Sequence, residues 1–329
     1  MILSSLETIK KISRNCIKVD SIDGNIALKR FTDKQYEVYN VNEALRIRSC
    51  CSAGACLDFY TDSEFIKFKY SVTGKSRDWA YFDIYIDNIF VNSIGQKPVV
   101  EPEGEFQYNI PGDKDIMKRL TIYLPHLVEI TLRDIELSDH VHIEEVKPYE
   151  KSILCLGDSI TQGMSALHPT SAYPVQLARY FSMNLLNQGV GGYFFNKESL
   201  DKTLCYSPDL ITVAYGTNDW SKCKTEAEFS QNVMEFMDKL TGIYPKAVIF
   251  VITPIWRSDI DTEKDMGAFN CLADILIRVC DKYTQVKIID GLTLVPHMPI
   301  FYRDANIHPS DEGFLHYALG LIGNITKYV

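Results

Sequence analysis

From about residue 151 to the C terminus, compact apolar runs alternate with longer segments of helical periodicity, and this alternation restricts the fold more than any other feature. The apolar runs are as short and as continuously hydrophobic as strands that are buried on both faces. In chain order they are SILCLGD, MNLLNQGV, PDLITVAYG, KAVIFVITP and VKIIDG. Strands and helices that alternate in this way predict an α/β fold, in which helices cover both sides of a parallel sheet.

The chain up to about residue 148 has a different pattern. FIKFKY alternates apolar with polar residues, and VEITLRDIEL is one of several further strand candidates between turn-forming residues. Many short strands without a long amphipathic helix are typical of an antiparallel β-sandwich of the jelly-roll type. We therefore predict two domains, a β-sandwich over residues 1–148 and an α/β domain over residues 149–329, joined at KPYEK.

Composition and charge exclude several classes of partner. Hydrophobic residues make up 46% of the chain and charged residues 23%, which is normal for a folded protein. The formal net charge is −9, whereas nucleic-acid phosphates and anionic membrane surfaces require a basic face. No run approaches the roughly 20 apolar residues of a membrane helix. We therefore expect neither a nucleic acid nor a membrane as partner.

The N-terminal segment and the cysteines indicate a compartment. MILSSLETIKKISRN lacks the apolar core of a secretory signal. The nine cysteines are scattered, without a CxxC pair or zinc-type spacing, which favours reduced thiols over a disulfide framework or a metal site. These features predict a cytoplasmic protein without a bound metal.

Four polar or glycine-rich segments stand beside the predicted elements of the second half. GDSITQG, NQGVGG and YGTNDW follow the first three strands, and RDANIHPSDEG precedes the last helix. The carboxyl ends of strands in open parallel sheets are where reactive groups gather. We therefore expect the four segments to meet at one site.

Within GDSITQG, Ser159 is predicted to lie at a turn from strand to helix. The first N–H groups of a helix are unpaired and are able to stabilise the oxyanion that forms when a serine attacks an acyl carbon. The segment is not a G-x-S-x-G elbow, because Thr161 stands where the second glycine would be, and this argues against an ordinary α/β-hydrolase. The alternative is that Asp158 and Ser159 only cap a helix.

At these four segments the chain resembles a known family. GDSITQG, NQGVGG, GTND and IHP have the order and spacing of the conserved blocks of SGNH (GDSL-type) hydrolases, over about residues 151–329. The resemblance implies a three-layer, flavodoxin-like domain with Ser159 as nucleophile and His308 as general base. It also implies an oxyanion hole made by the N–H of Ser159, the N–H of Gly192 (or of Gly191) and the side chain of Asn218.

The residue that orients His308 departs from the family pattern. Members commonly carry aspartate three residues before the histidine, where this chain has Ala305, and the nearest acid is Asp304. Either Asp304 completes a catalytic triad through a small bulge, or His308 and Ser159 act as a dyad with a backbone carbonyl as orienter. Asp311 is a third candidate, although it or Ser310 also suits the N-cap of the last helix.

These residues predict a serine esterase that forms an acyl-enzyme on Ser159 and hydrolyses short-chain esters, foremost acetyl esters of a carbohydrate-like alcohol. No long apolar segment of the kind that a lipase uses at an interface is present. A thioesterase or arylesterase would use the same residues. A carbohydrate-binding protein with an inactive hydrolase half is the alternative from another class.

The remaining expectations concern the surroundings of the site. The first half resembles the β-sandwich that precedes the catalytic domain in some two-domain carbohydrate esterases. Trp220 and Trp256 follow the third and fourth strands and are predicted to line the substrate pocket. Covalent serine catalysis requires no metal or organic cofactor, and we expect none.

Overall fold

The computed structural model describes residues 1–3, 5–113, 116–304 and 307–329, and the two halves of the chain have different architectures. In chain order the first half contains α1 (Leu6–Ile12), β1 (Ser13–Arg14), β2 (Lys18–Ile22), β3 (Asn25–Lys29), α2 (Asp33–Tyr39), α3 (Glu43–Cys50), β4 (Cys56–Thr61), β5 (Phe65–Lys75), β6 (Ala80–Ile86), β7 (Ile89–Gln96), β8 (Glu103–Asn109), β9 (Lys118–Tyr123), β10 (Val128–Leu137) and β11 (Ile143–Glu145). The second half contains β12 (Lys151–Gly157), α4 (Ser159–Gln162), α5 (Tyr173–Phe181), β13 (Met183–Gly189), β14 (Leu210–Ala214), α6 (Asp219–Lys222), α7 (Glu226–Ile243), β15 (Val248–Ile252), β16 (Glu263–Lys264), β17 (Gly267–Ala268), α8 (Cys271–Cys280), β18 (Val286–Ile289), β19 (Tyr302–Asp304), β20 (His308–Pro309) and α9 (Asp311–Ile325).

The strands of the first half form two antiparallel sheets. Their orders are β1-β4-β9-β6-β7, with β11 paired to β4, and β2-β3-β10-β5-β8. Alternate residues of β5 point into a shared apolar core, where Phe68 stacks on Phe106 and packs edge-on against Phe82 of the facing sheet. The predicted antiparallel sandwich is confirmed.

The first half also contains three short helices, α1, α2 and α3, which its strand pattern did not predict. Each has a side-chain N-cap, and that of α1 is Ser5. Thr32 and Gln35 form a reciprocal capping box at the start of α2, and the Asn42 side chain caps α3. Helices of this length are marginal alone and depend on packing. Tyr39 at the end of α2 packs edge-on against Tyr193 of the second half, with ring centroids 4.7 Å apart.

The second half is a parallel sheet with the order β13-β12-β14-β15-β18. This is the flavodoxin-like order, and it confirms the predicted α/β core. Helices α5 and α9 pack against each other in one apolar cluster of this half. Helices α7 and α8 pack against each other in a second apolar cluster. β12 lies between β13 and β14, so the segments that follow these three parallel strands lie side by side at one edge of the sheet. The N-cap of α9 is Ser310.

A buried arginine joins the two halves. Arg30 is 1% exposed, and its guanidinium donates hydrogen bonds to backbone carbonyls only, from both halves. The acceptors are the carbonyls of Arg48, Ser49, Cys51, Asn187 and Gly189. Helix α3 and the end of β13 are therefore held at a fixed separation. Burial lowers the pKa of Arg30.

Three negative findings apply to the described residues alone. All nine cysteines lie within them and are free thiols. None of their helices is both long and apolar enough to cross a membrane. No group of three or more His, Cys, Asp or Glu side chains among them is placed to hold a metal ion.

Replacement of Arg30 by methionine is expected to lower the free energy of unfolding by more than about 2 kcal/mol, because each unsatisfied buried carbonyl costs about 1–3 kcal/mol. Urea unfolding measures this change. Lys29→Met, which removes the same charge from the adjacent, half-buried position, is the control and should change stability by less than about 1 kcal/mol. Equal effects of the two substitutions would contradict the role given to Arg30.

Candidate active site

The first strand of the parallel sheet places Ser159 at the carboxyl edge of the sheet. β12 ends at Gly157, Asp158 caps α4, and Ser159 is the first residue of that helix. Oδ1 of Asp158 accepts the backbone N–H of Ile160 at 2.9 Å. The N–H of Ser159 makes no hydrogen bond to the described part of the chain, as expected for the first donors of a helix.

Ser159, His308 and Asp304 form a continuous chain of hydrogen bonds. Oγ of Ser159 lies 2.8 Å from Nε2 of His308, and Nδ1 of the same ring lies 2.7 Å from Oδ1 of Asp304. A serine hydroxyl is a weak nucleophile until a base accepts its proton, and a carboxylate on the far nitrogen fixes the tautomer of that base. An arrangement of this kind is able to activate a serine hydroxyl.

A two-stranded ribbon explains the position of Asp304. β19 and β20 are antiparallel, and Asp304 is paired directly with His308. Side chains that are directly opposite in such a pair are close neighbours. The register is irregular between Tyr302 and Asp304, which is how a carboxylate four residues before the histidine comes into contact with it. Ala305 lies outside the described residues.

Asp304, rather than Asp311, contacts His308. Asp311 instead accepts the backbone N–H of Leu167 at 2.9 Å. The second oxygen of Asp304 accepts a hydrogen bond from Nη2 of Arg77 at 2.7 Å. Burial tends to raise the pKa of the Asp304 carboxyl, but the hydrogen bond from His308 and the nearby positive charges outweigh it and lower this pKa below its usual value. The carboxylate is consequently ionised at neutral pH.

The two glycines after β13 have different hydrogen bonds. The N–H of Gly191 donates to Oε1 of Gln162 at 2.8 Å, whereas the N–H of Gly192 makes no hydrogen bond to any described residue. Gly192 has a φ of +81°, a conformation that residues with a Cβ rarely adopt. Both glycines line the cleft that contains Ser159. Gly192 is thus the glycine with an unpaired donor there.

Asn218 follows β14 and lines the same cleft. Its Nδ2 atom donates to the carbonyl of Tyr193 at 2.9 Å and to Oδ2 of Asp158 at 3.2 Å. Burial raises the pKa of Asp158 to about 7. Both hydrogens of Nδ2 therefore have acceptors, and donation to an oxyanion requires that the longer bond, to Asp158, be shared or released.

The family of the second half follows from its sequence. Residues 155–314 match the model of the GDSL-like lipase/acylhydrolase family. The chain contains a GDSL-like lipase/acylhydrolase domain. The predicted family resemblance is confirmed by this match, which includes Ser159, Gly192, Asn218 and His308. No curated protein matches the sequence.

Solved structures that include both halves have the same two-part fold. A salicylyl-acyltransferase from a tetracycline biosynthetic pathway has a TM-score of 0.83 at 17% identity, with 96% of this chain and 94% of that chain covered. A family two carbohydrate esterase from Cellvibrio japonicus has a TM-score of 0.70 at 15% identity, covering 99% and 96%. A family two carbohydrate esterase from Clostridium thermocellum, in complex with cellohexaose, has a TM-score of 0.66 at 15% identity, covering 84% and 93%. At these identities the similarity concerns the fold alone.

Arginines that the sequence analysis missed line the cleft of the GDSL-like domain. The cleft has a volume of about 230 Å³, and Arg48, Arg77 and Arg257 are among its lining residues. Arg48 lies on α3 and Arg77 lies between β5 and β6, so both come from the first half, far from the four motifs in sequence. Arg257 lies in the loop that follows β15, at the carboxyl edge of the sheet, and this position is the signal by which the sequence could have indicated it.

The two tryptophans that were predicted to line the pocket lie elsewhere. Trp220 is fully buried, packs edge-on against Phe269 and donates from Nε1 to the carbonyl of Gly267 at 2.8 Å. Trp256 stacks on His297, with ring centroids 5.8 Å apart. Neither is among the residues that line the cleft of the GDSL-like domain. The end of a strand sets where the backbone emerges, but core packing sets where the side chain points.

The hydrogen bonds around Ser159 predict that a serine-directed fluorophosphonate labels this residue selectively. Mass spectrometry of the labelled protein checks the site. Ser159→Ala should abolish labelling, and His308→Ala should slow it by about 10²-fold or more, since the general base is lost. Ser221→Ala, at another serine that lines the cleft, is the matched control and should label normally. Labelling that survives Ser159→Ala would contradict the assignment.

Proposed function

We propose that this protein is a serine esterase that hydrolyses short-chain acyl esters, foremost acetyl esters, through an acyl-enzyme on Ser159. The observation that carries the proposal is the chain of hydrogen bonds from Ser159 through His308 to Asp304, at 2.8 and 2.7 Å. Membership of the second half in the GDSL-like lipase/acylhydrolase family supports ester hydrolysis in general.

Acylation begins when Nε2 of His308 accepts the Oγ proton of Ser159 and Oγ attacks the acyl carbon. The carbonyl oxygen becomes an oxyanion, and the N–H groups of Ser159 and Gly192, with the amide of Asn218, are its proposed donors. Asp304 stabilises the imidazolium that forms. His308 then gives its proton to the leaving alcohol as the bond between the acyl carbon and the alkoxy oxygen breaks.

Deacylation repeats the same proton transfers with water. His308 accepts a proton from a water molecule, whose oxygen attacks the acyl carbon of the ester on Ser159. The tetrahedral intermediate collapses, His308 returns the proton to Oγ of Ser159, and a free carboxylic acid leaves. No group outside the triad and the oxyanion donors is required.

The size and polarity of the cleft support a short acyl chain. Its volume of about 230 Å³ lies below the roughly 300–1,000 Å³ of sites that enclose drug-sized ligands. Met164 and Ile307 are the large apolar side chains of its lining, beside polar groups such as Thr217 and Ser221. A polar lining suits a hydroxyl-rich alcohol, and we propose a carbohydrate-like ester as the substrate.

Both halves of the chain contribute to the proposed catalytic unit. We propose domain boundaries of 1–148 and 149–329, with the first domain forming one wall of the cleft through Arg48 and Arg77. The contact between Arg77 and Asp304 supports a role beyond stability for this wall.

A second candidate is acyl transfer, in which an alcohol replaces water in the deacylation step. The salicylyl-acyltransferase with a TM-score of 0.83 motivates this candidate. An inactive hydrolase half is the alternative from another class, and the contact of Asp304 with His308 argues against it. Thioesters and aryl esters would be attacked by the same groups, so substrates of both kinds belong in the assay.

The experiment that tests the proposal is hydrolysis of p-nitrophenyl acetate, butyrate and octanoate, with phenyl thioacetate as the thioester. We expect kcat/KM to be highest for acetate and lowest for octanoate, because the cleft is small. Ser159→Ala should lose activity on all of them. Product analysis with added alcohols separates hydrolysis from transfer. A preference for octanoate, or turnover by Ser159→Ala, would refute the proposal.

Asp304→Asn is expected to lower kcat by about 10⁴-fold, since an amide holds the imidazole of His308 in the wrong tautomer. Asp311→Asn changes the other nearby carboxylate in the same way and should retain activity within a few-fold. Steady-state kinetics on p-nitrophenyl acetate measure both. If Asp304→Asn remains nearly as active as the wild type, His308 is oriented by another group and the enzyme is a dyad.

A further inference from the structure

The charge of the cleft is opposite to that of the protein. The chain has a formal net charge of −9, yet the described residues that line the cleft include three arginines and no aspartate or glutamate. Lys264 adds a fourth cation, because its Nζ lies 2.7 Å from Oγ of Ser221, which is part of the lining. A cluster of cations in a strongly acidic protein concentrates anionic molecules at that place.

Carboxylates neutralise two of these cations. Arg77 is paired with Asp304 at 2.7 Å, and Arg257 makes a bidentate pair with Asp259. Nζ of Lys264 lies 3.9 Å from the same carboxylate of Asp259. One negative charge is therefore shared by two positive charges. The cleft therefore keeps a surplus of positive charge after its internal ion pairs are formed.

Arg48 is the arginine of the cleft without an acidic partner among the described residues. Nη1 donates to the carbonyl of Gly191 at 3.0 Å. A guanidinium has five N–H donors, and most of those on this cleft-lining residue have no acceptor among the described residues. Burial and the charge of Arg77 lower the pKa of Arg48, and a bound anion would offset both effects.

Both the backbone and the guanidinium of Arg48 have fixed contacts, the guanidinium through its hydrogen bond to the carbonyl of Gly191. The carbonyl of Arg48 accepts hydrogen bonds from Arg30 at 3.1 Å and from Gln162 at 3.2 Å. The guanidinium is close to the oxyanion donors, because a Cβ built on Gly192 would lie 3.0 Å from Nη1 of Arg48. An anionic group a few bonds away from the ester carbonyl of a bound substrate is within reach of it.

We propose that the substrate is an ester that carries a carboxylate near its ester bond, and that Arg48 binds this carboxylate. The inference rests on the proposed esterase function. Arginine and carboxylate match in geometry and form charge-assisted hydrogen bonds, which are about twice as strong as neutral ones. Arg257 and Lys264 contribute to the same preference at longer range through their charge.

The test compares esters that differ in one charge. On the alcohol side the pair is 4-acetoxybenzoate and its neutral methyl ester; on the acyl side it is mono-p-nitrophenyl adipate and p-nitrophenyl hexanoate. Ser159→Ala provides the background rate. We expect the wild type to prefer the anionic member of one pair by about tenfold or more in kcat/KM, the value of one charge-assisted hydrogen bond. The pair that shows the preference assigns the carboxylate to the alcohol or to the acyl part.

Arg48→Met should reduce this preference to near one. Arg46→Met is the matched control, because Arg46 lies on the same helix, carries the same charge and is paired with Glu129 outside the cleft. It should leave the preference unchanged. If Arg48→Met lowers the activity on charged and neutral esters equally, Arg48 only supports the Gly191 loop and the inference is wrong.

A measurement on the wild type covers the case in which Arg48→Met does not fold. 4-Hydroxybenzoate should inhibit hydrolysis of p-nitrophenyl acetate more strongly than its methyl ester does, and added salt should reduce the difference. Equal inhibition, or equal turnover of charged and neutral esters, overturns the inference while the esterase function stands. Absence of turnover on every ester, together with absence of fluorophosphonate labelling, overturns the proposed function and the inference with it.

Discussion

A single buried guanidinium holds together the backbone segments from which the cleft is built. Arg30 donates to carbonyls of α3 and to carbonyls at the end of β13. Arg48 lies on the first of these segments, and Gly192 lies in the loop that follows the second. Because an arginine surrounded by carbonyls leaves no polar group unsatisfied, a cation is stable there without a counter-charge. The separation of Arg48 from the proposed oxyanion donors is therefore set by Arg30, which is not itself among the residues that line the cleft.

Hydrogen bonds between buried side chains and backbone groups also hold the loops that carry the proposed oxyanion donors. Gln162, at the end of α4, accepts the N–H of Gly191 and donates to the carbonyl of Arg48, so it joins the nucleophile helix to both neighbours. Asp219 accepts the N–H groups of Phe195 and Gly216 and holds the segments after β13 and β14 together. Burial raises the pKa of Asp219 to about 7. Buried polar side chains thus position the donors by satisfying backbone groups rather than by contact with substrate.

The first half of the chain is part of this arrangement as well. Arg77 binds the carboxylate of Asp304, which contacts His308, and Arg48 lies against the loop of Gly191 and Gly192. Two charged side chains of the first half thus reach the cleft that contains the residues proposed for catalysis. The surplus of positive charge in the cleft comes from residues of both halves, so the charge of the cleft depends on the two-part architecture.

The sequence by itself determined the parallel sheet, the sandwich before it, and the meeting of Ser159, His308 and Asn218 at one edge. These features follow from hydrophobic period, strand ends and short motifs, all of which are properties of neighbouring residues. Only the tertiary structure decided that Asp304 contacts His308, because this contact depends on an irregular register between β19 and β20. It also decided that Gly192, rather than Gly191, has an N–H without an acceptor among the described residues, because Gln162 accepts the N–H of Gly191. The contacts of Arg30, Arg48 and Arg77 likewise required the fold, since each of these side chains has at least one partner more than a hundred residues away. No local pattern encodes which distant groups a long, flexible side chain will meet.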